Sequence, residues 1–398
     1  MPSSRARFGI IFLTVVIDLI GYGIIIPILP YYAQRLGAGG IGLGALLGVY
    51  SLMQFVATAV LGRTSDRVGR RPILLATMVC NAVGYVIFAA AHSYAVLFLA
   101  RVVSGFAGGN ISAAQAYMAD ITSPAERSRG MGVIGAAFGL GFVIGPVVGG
   151  LSAHYVGPAA PGLIAAGLSV LNFVSAYFIL PESLRAEHRT ERSTWDFSHI
   201  PNAIRDPRLG PLMAAWAIAP FAFAGYSVAL PLWAGVLWGW REQQLGWLFF
   251  AIGVTAAIVQ GYLFGKLARR VGDRALLIAG GFGMALAIAI IPALHTTGAL
   301  YMWTVVLAFS NSIFGPAATG LVSVFAAPTE QGTVLGAAQA LSALGRLLGP
   351  IVIGRVYDAS HGAAFLAAGA VMALGGLATL RVPHTSHDRV TSGVSAPA

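Results

Sequence analysis

Gly62–Leu75 reads GRTSDRVGRRPILL and gathers four arginines and an aspartate into a chain of which only 10% is charged. The stretches on either side of it, 43–62 and 72–91, are apolar and about twenty residues long. As helix, a run of that length crosses the roughly 30 Å hydrocarbon layer of a bilayer, so the charged stretch reads as a loop at the membrane surface between two spans. The same alternation repeats along the chain. Spans are expected at 8–30, 43–62, 72–91, 94–119, 130–151, 159–180, 209–230, 245–264, 275–294, 299–324, 333–354 and 362–380. Continuous apolar runs satisfy their backbone in lipid only as helices, whereas a barrel needs shorter alternating segments. The expected fold is an all-α membrane protein of twelve transmembrane helices. A composition of 57% apolar residues and a mean hydropathy of +0.79 agree with it.

A net charge of +10 would suggest nucleic acid in a soluble protein, so the positions of the basic residues decide its meaning. With the N-terminus assigned to the cytoplasm, nineteen of the twenty-four basic residues fall on the inside. Only Arg35, Arg241 and Arg355 fall outside, and Arg101 and Arg346 lie within spans. This bias predicts that both termini are cytoplasmic, and no nucleic-acid partner is implied. The first span is too long for a signal peptide, contains Asp18 and lacks a small-residue cleavage site. Trp233, Trp238, Trp240 and Trp247 are expected to form an aromatic belt near the outer surface. Cys80, the one cysteine, lies inside the third span and reads as structural.

The long internal break after the sixth span carries five arginines, and it divides the chain into halves. Sliding one half along the other by about 203 residues lays GRTSDRVGRRPILL on GKLARRVGDRALLI, Gly265–Ile278. Gly62 meets Gly265, Gly69 meets Gly272 and Arg71 meets Arg274; farther on, Gly145-Pro146 meets Gly349-Pro350 at nearly the same offset. The chain therefore reads as a parallel duplication of a six-helix unit, the repeat logic of secondary transporters. Expected boundaries are a first bundle at 1–181, a cytoplasmic linker at 182–208, a second bundle at 209–381 and a disordered, polar cytoplasmic tail at 382–398.

With these residues in view, the sequence resembles the major facilitator superfamily over all twelve spans. GRTSDRVGRRPILL is similar to that family's loop between helices 2 and 3. The resemblance implies an ionic latch with Asp66 and Arg70 at its centre and Gly62, Arg67, Gly69 and Arg71 in support, its glycine letting two helices approach closely. A rearranging ion pair at helix ends can bias two states at small cost. The alternative is that Arg63, Arg67 and Arg71 only hold topology. GFVIGPVVGG, Gly141–Gly150, resembles the fifth-helix motif of the drug/proton antiporter branch, and on that likeness Gly141, Gly145, Pro146, Gly149 and Gly150 form a sliding, bendable face. IDLIGYGIIIPILP (Ile17–Pro30) and YMADITSPAERSRGMG (Tyr117–Gly132) resemble the tetracycline/proton antiporters. The chain departs from these at Gly84, which stands where they carry an additional acidic residue, and this argues against tetracycline itself as the substrate.

Charge within a span is costly and commonly marks a transport pathway. Asp18 lies about ten residues, or roughly 15 Å, into the first span, and it is the only deep carboxylate. Arg101 lies in the fourth, with Gly108, Ser112 and Gln115 on the same helical face, so a polar stripe is expected toward the cavity. The alternative for Arg101 is a side chain that snorkels to the outer surface. Asp18 and Arg101 are the expected proton-coupling pair. Tyr22, Ser112, Gln115, Gln260, Asn311, Gln339 and Arg346 are candidates for lining the substrate cavity, or for bonding a neighbouring helix.

Other signals carry no chemistry. GAGGIG at Gly37–Gly42 matches a dinucleotide fingerprint but follows no strand, and NIS at Asn110 is a glycosylation pattern within a helix, where it is unusable. The eight histidines lack metal-ligand spacing, and neither a nucleophile elbow nor a phosphate-binding loop occurs, so no enzyme, metal or cofactor is implied and ATP is not the energy source. The expected function is a proton-coupled antiporter that exports amphiphilic drug-like small molecules by alternating access. A proton-linked carrier of an organic anion or metabolite is the alternative, with Arg101 and Arg346 as counter-charges. Expected partners are the lipid bilayer of a bacterial cytoplasmic membrane, a small-molecule substrate and protons, and the working unit is expected to be a monomer.

Overall fold

The computed structural model describes residues 4–122, 127–184, 199–326 and 331–384. Among these the chain is helical, without strands. Helices α1 (Ser4–Ile25) and α2 (Leu29–Arg35) form one span bent by 40° at the segment containing Pro27, since proline cannot continue the backbone ladder. Then follow α3 (Gly40–Val68), α4 (Arg70–Ala89), α5 (Tyr94–Ala107), α6 (Asn110–Ile121), α7 (Arg127–Tyr155) and α8 (Ala160–Ile179). The second half has α9 (His199–Arg205), α10 (Gly210–Trp238), α11 (Glu242–Ile258), a π-turn at Val259–Leu263, α12 (Phe264–Val271) and α13 (Asp273–Ala289). It ends with α14 (Thr297–Phe325), α15 (Gln331–Ala359) and α16 (His361–Leu380).

With α5–α6 and α11–α12 each taken as one span, ten helices are long and apolar enough to cross a membrane among the described residues, and the bent α1–α2 pair makes an eleventh. The remaining expected span is α13, 17 residues long and continued by a 3-10 turn at Ile291–Ala293. All twelve expected spans thus fall on a helix or a helix pair. The expected linker contains the short helix α9, which packs on α15. Most of the rest of it, 185–198, lies outside the described residues, as do Pro124, Glu126, Pro328, Glu330 and the tail from 385 onward.

The described chain forms two compact units, and they do not follow the halves of the sequence. The first comprises 1–39, 45–194 and 234–253; the second comprises 40–44, 195–233 and 254–398. In the first, α1 packs on α7 and α8, and α4 on α5, α6 and α8. Its core gathers Ile11, Val15 and Leu19 of α1 with Met78 of α4 and the fully buried Tyr117 of α6. In the second, α13 packs on α14 and α16.

The duplication is visible in matching devices. Gly69 ends α3 with φ +117° and Gly272 ends α12 with φ +82°, a region that glycine enters without steric cost. Arg71 donates from Nη2 to the Tyr177 carbonyl at 2.6 Å, and Arg274, 203 residues on, donates from Nη2 to the Leu380 carbonyl at 2.9 Å, also 203 residues on. The tryptophan belt is narrower than expected: Trp233 is buried against Phe365 and Trp240 is buried as well, while Trp247 is exposed.

Candidate functional site

Asp18 projects from α1 into the first unit, where two side-chain amides hold it. Asn110, the first residue of α6, donates from Nδ2 to Asp18 Oδ2 at 2.5 Å. Asn172 of α8 donates from Nδ2 to Asp18 Oδ1 at 3.1 Å and to the Thr14 carbonyl at 3.0 Å. Both asparagines are buried. Tyr85 of α4 lies against α1 at Gly21, and Tyr50 of α3 lies against it at Tyr22. Among the described residues no arginine or lysine pairs with Asp18.

The expected companion of Asp18, Arg101, is therefore not its ion-pair partner. The guanidinium lies over the Tyr50 ring, 4.2 Å from its centroid, and Nε donates to the Leu46 carbonyl at 3.4 Å. At 3% exposure Arg101 does not snorkel to a surface. The Tyr50 ring lies tilted against Tyr22 at 5.1 Å, and Tyr22 in turn meets Phe142 edge-on at 5.9 Å, so an aromatic row leads from the arginine to α7. The polar stripe on α5 and α6 faces α3: Gln54 Nε2 donates to the Gly108 carbonyl at 3.3 Å, and Ser112 Oγ donates to the Thr58 carbonyl at 3.2 Å. Gln115, farther along, is exposed.

Arg70 is the centre of the expected latch. Nη1 pairs with Asp66 Oδ1 at 2.5 Å and donates to Ser65 Oγ at 2.7 Å, while Nε pairs with Asp120 Oδ2 of α6 at 3.2 Å. Ser183 Oγ donates to the same Asp120 oxygen at 2.9 Å. Glu182 caps α4 by accepting from the backbone N–H groups of Arg70 at 2.9 Å and Arg71 at 3.2 Å, and it also accepts from Ser183 and Leu184. A carboxylate is favoured there by the unpaired N–H groups of a helix start. At neither glycine do two helix backbones meet: the near neighbour of Gly69 is the Glu182 side chain, and that of Gly62 is the Ser112 side chain. A Cβ on Gly69 would stand 2.9 Å from Glu182 Cδ, whereas one on Gly62 would meet Ser112 Oγ at an ordinary 3.5 Å. Arg67 is exposed.

The Gly141–Gly150 motif presents two faces of α7. Gly141, Gly145 and Gly149, spaced four apart, lie on α1: a Cβ on Gly145 would be 2.7 Å from Gly23 Cα and 2.8 Å from the Ile20 carbonyl oxygen. Pro146 and Gly150 lie on α11, where Gly246 meets the Pro146 carbonyl and Gly150 the Glu242 carbonyl. Gly84 of α4 packs on α5, and a Cβ there would be 3.1 Å from the Ser104 backbone nitrogen, which leaves no room for the acidic side chain absent from this position.

Of the second-half candidates, Arg346 donates from Nη1 to Ser342 Oγ at 2.6 Å, Asn311 is half-buried, Gln339 is exposed, and Gln260 is exposed within the π-turn. Sequence reasoning misses Asn110, Asn172, Ser65 and Asp120, and it places Glu182 only by the linker bounds 182–208. In sequence, Asn110 reads only as a glycosylation pattern. The available signal is that an amide within an apolar span needs a polar partner.

A model of the Major Facilitator Superfamily matches residues 11–238 and 219–398. The chain belongs to the Major Facilitator Superfamily. It is 32% identical to the tetracycline resistance protein, class C, of Escherichia coli, over 90% of this chain and 91% of that one. It is 30% identical to the major facilitator superfamily domain-containing protein 10 of Mus musculus, over 89% and 88%. The crystal structure of the human organic anion transporter MFSD10 superposes with a TM-score of 0.71 at 26% identity, covering 95% of this chain and all of that one. The nucleoside transporter NupG, at 13% identity and a TM-score of 0.78, shares the fold over 94% of this chain and 99% of that one. Tetracycline resistance proteins and an organic anion transporter thus both stand among the relatives, and the comparisons do not separate drug antiport from organic anion carriage. The protein is a multi-pass membrane transporter and not an enzyme.

Proposed function

We propose that this transporter is a proton-coupled antiporter that exports amphiphilic drug-like molecules by alternating access, with Asp18 as the group that exchanges proton for substrate. The observation that carries the reading is the amide clamp on Asp18. A carboxylate paired with arginine would leave an unpaired buried cation on taking up a proton, at a cost of several kcal/mol. Asparagine carries a donor and an acceptor on one side chain, so a turned amide can receive the O–H of the protonated acid. The site can thus hold either charge state, and a cationic or hydrogen-bonding substrate would compete with the proton for it. Competition of that kind is antiport. An inward proton supplies about 2.3 kcal/mol per 100 mV of membrane potential. The small-residue face of α7 on α1 gives the helix carrying Asp18 a surface along which to slide. The setting is a bacterial cytoplasmic membrane with both termini inside, and the working unit is a monomer.

One observation favours the second reading, a proton-linked organic anion carrier: Arg101 is buried with no carboxylate partner among the described residues, and an anion would complete it. The two readings differ in the sign of coupling. An anion bound near Asp18 would bind better when Asp18 is protonated, which gives symport. Purified protein in liposomes with an imposed pH gradient separates them. Antiport is expected to move protons opposite to a cationic dye, and Asp18→Asn to abolish uphill transport while exchange persists. Wild-type concentrating power in that variant would overturn the assignment of Asp18.

A further inference from the structure

We infer that α6 is a connecting rod that joins the proton site at Asp18 to the latch at Arg70. The inference rests on the reading of Asp18 as the proton site. Helix α6 is 12 residues long, and both of its ends are engaged. Its first residue, Asn110, donates to Asp18, and its penultimate residue, Asp120, pairs with Arg70 and accepts from Ser183. Ten residues of helix place these two attachments about 15 Å apart along one stiff element.

At the Asp18 end the rod is jointed. Gly108 (φ −61°, ψ −10°) and Gly109 (φ −67°, ψ −6°) depart from α-helical ψ, so α5 stops at Ala107 and α6 begins afresh at Asn110. Arg101 and its stack on Tyr50 lie on the far side of this joint. The arginine thus belongs to α5 and not to the rod itself. At the other end the rod is stitched to the segment that follows α8: Tyr117 donates from its hydroxyl to the Pro181 carbonyl at 3.0 Å, and Ser183 reaches Asp120. Helix α8 holds Asp18 too, through Asn172. The two helices thus share one carboxylate at one end and are fastened together at the other.

Protonation changes the shared end. The carboxylate accepts from one amide at each oxygen, whereas the neutral acid carries an O–H on one of those oxygens, which weakens that oxygen as an acceptor and favours turning the amide there to receive the proton. Asn172 is also held by the Thr14 carbonyl, whereas among the described residues the side-chain amide of Asn110 bonds only Asp18, so Asn110 is the arm that yields. Its movement tilts α6 about Gly108–Gly109 and shifts Asp120 against Arg70, Ser65 and Asp66. By reciprocity, a change at the latch is felt at Asp18.

The test uses the full chain in nanodiscs and reads amide hydrogen exchange at the latch, in the peptides that carry the backbone N–H groups of Arg70, Arg71, Ser183 and Leu184. Asp18→Asn mimics the neutral acid and is expected to change latch exchange by at least about fivefold at fixed pH, the size of a typical coupling. In an Asn110→Ala background the same substitution should change it by less than about twofold, and Asn110→Gln should restore some of the response. A full response in the Asn110→Ala background would overturn the rod. If that variant fails to fold, the reciprocal Asp120→Asn is measured instead, and unaltered exchange in the α1 segment around Asp18 overturns the rod. Asp18→Asn that abolishes proton-driven transport yet leaves the latch unmoved would sink the rod and keep the proton site. Asp18→Asn that moves the latch yet leaves coupled transport intact would sink the proton site and keep the rod.

Discussion

Gly69 is held by two constraints at once. Its φ of +117° lies where side-chain-bearing residues are strained, and the Glu182 carboxylate occupies the space a Cβ would need. Gly69→Ala is expected to destabilise the folded protein by about 1–3 kcal/mol through backbone strain and a displaced cap, read as a lower thermal midpoint in detergent. Asp66 illustrates the opposite case. Its pair with Arg70 has a carboxylate that is 37% exposed, and Arg70 keeps Asp120 and Ser65 if Asp66 is removed. Asp66→Asn should therefore cost only about 0–1 kcal/mol in stability, and a large loss of transport in a normally stable variant would assign Asp66 to the moving latch. An unchanged transport rate would make the pair merely structural.

Among the helices, α7 shows how glycine spacing becomes packing. Gly141, Gly145 and Gly149 recur every four residues and bring the backbones of α7 and α1 together, whereas Gly139, on another face of the same helix, has nothing within 4 Å of an added Cβ. Gly145→Ala must push these backbones apart and is expected to cost about 1–3 kcal/mol. Gly139→Ala meets open space and is expected to be neutral or to stabilise by up to about 1 kcal/mol, since alanine favours helix. Denaturation of the two variants side by side checks the contrast, and equal losses would show that α7 does not pack on α1 through this face.

Over the whole molecule, both compact units draw on both halves of the sequence. In the first, Arg35 at the end of α2 pairs at 2.7 Å with Glu242 at the start of α11, a residue only 5% exposed. In the second, Asp358 of α15 accepts from the Gly40 and Ile41 backbone N–H groups at 2.6 and 2.9 Å and so caps α3. Arg35→Ala leaves Glu242 buried without its cation and should cost about 1–3 kcal/mol, less than a fully buried pair because Arg35 is 44% exposed. In a Glu242→Gln background the same substitution should cost almost nothing. A double-mutant cycle by thermal unfolding measures the difference, and additive losses would mean that the two residues act independently.

The twelve spans and the duplication were legible in the linear chain, because span length is set by bilayer thickness and each span closes its own backbone hydrogen bonds. The charged stretch Gly62–Leu75, expected as a loop, is instead helix on both sides of Gly69, since one glycine at positive φ suffices to turn the chain between α3 and α4. Asp18 also stood out, as the one deep carboxylate in an apolar chain. Its partners did not, because Asn110 and Asn172 lie 92 and 154 residues away and are reached only once α6 and α8 pack on α1. Nor could the sequence say which face of a span meets protein. Val79, Val83 and Val86 are about half exposed, while Leu74 and Met78 of the same helix are buried, yet all are similarly apolar. Lipid tails are as apolar as leucine, so a membrane helix need not mark its protein-facing side by polarity. That is why the stripe of Arg101, Gly108 and Ser112 was expected toward a cavity but packs on α3. Tertiary packing also decided that segments 40–44 and 234–253 change units, since close backbone contact at glycines depends on where two distant helices cross.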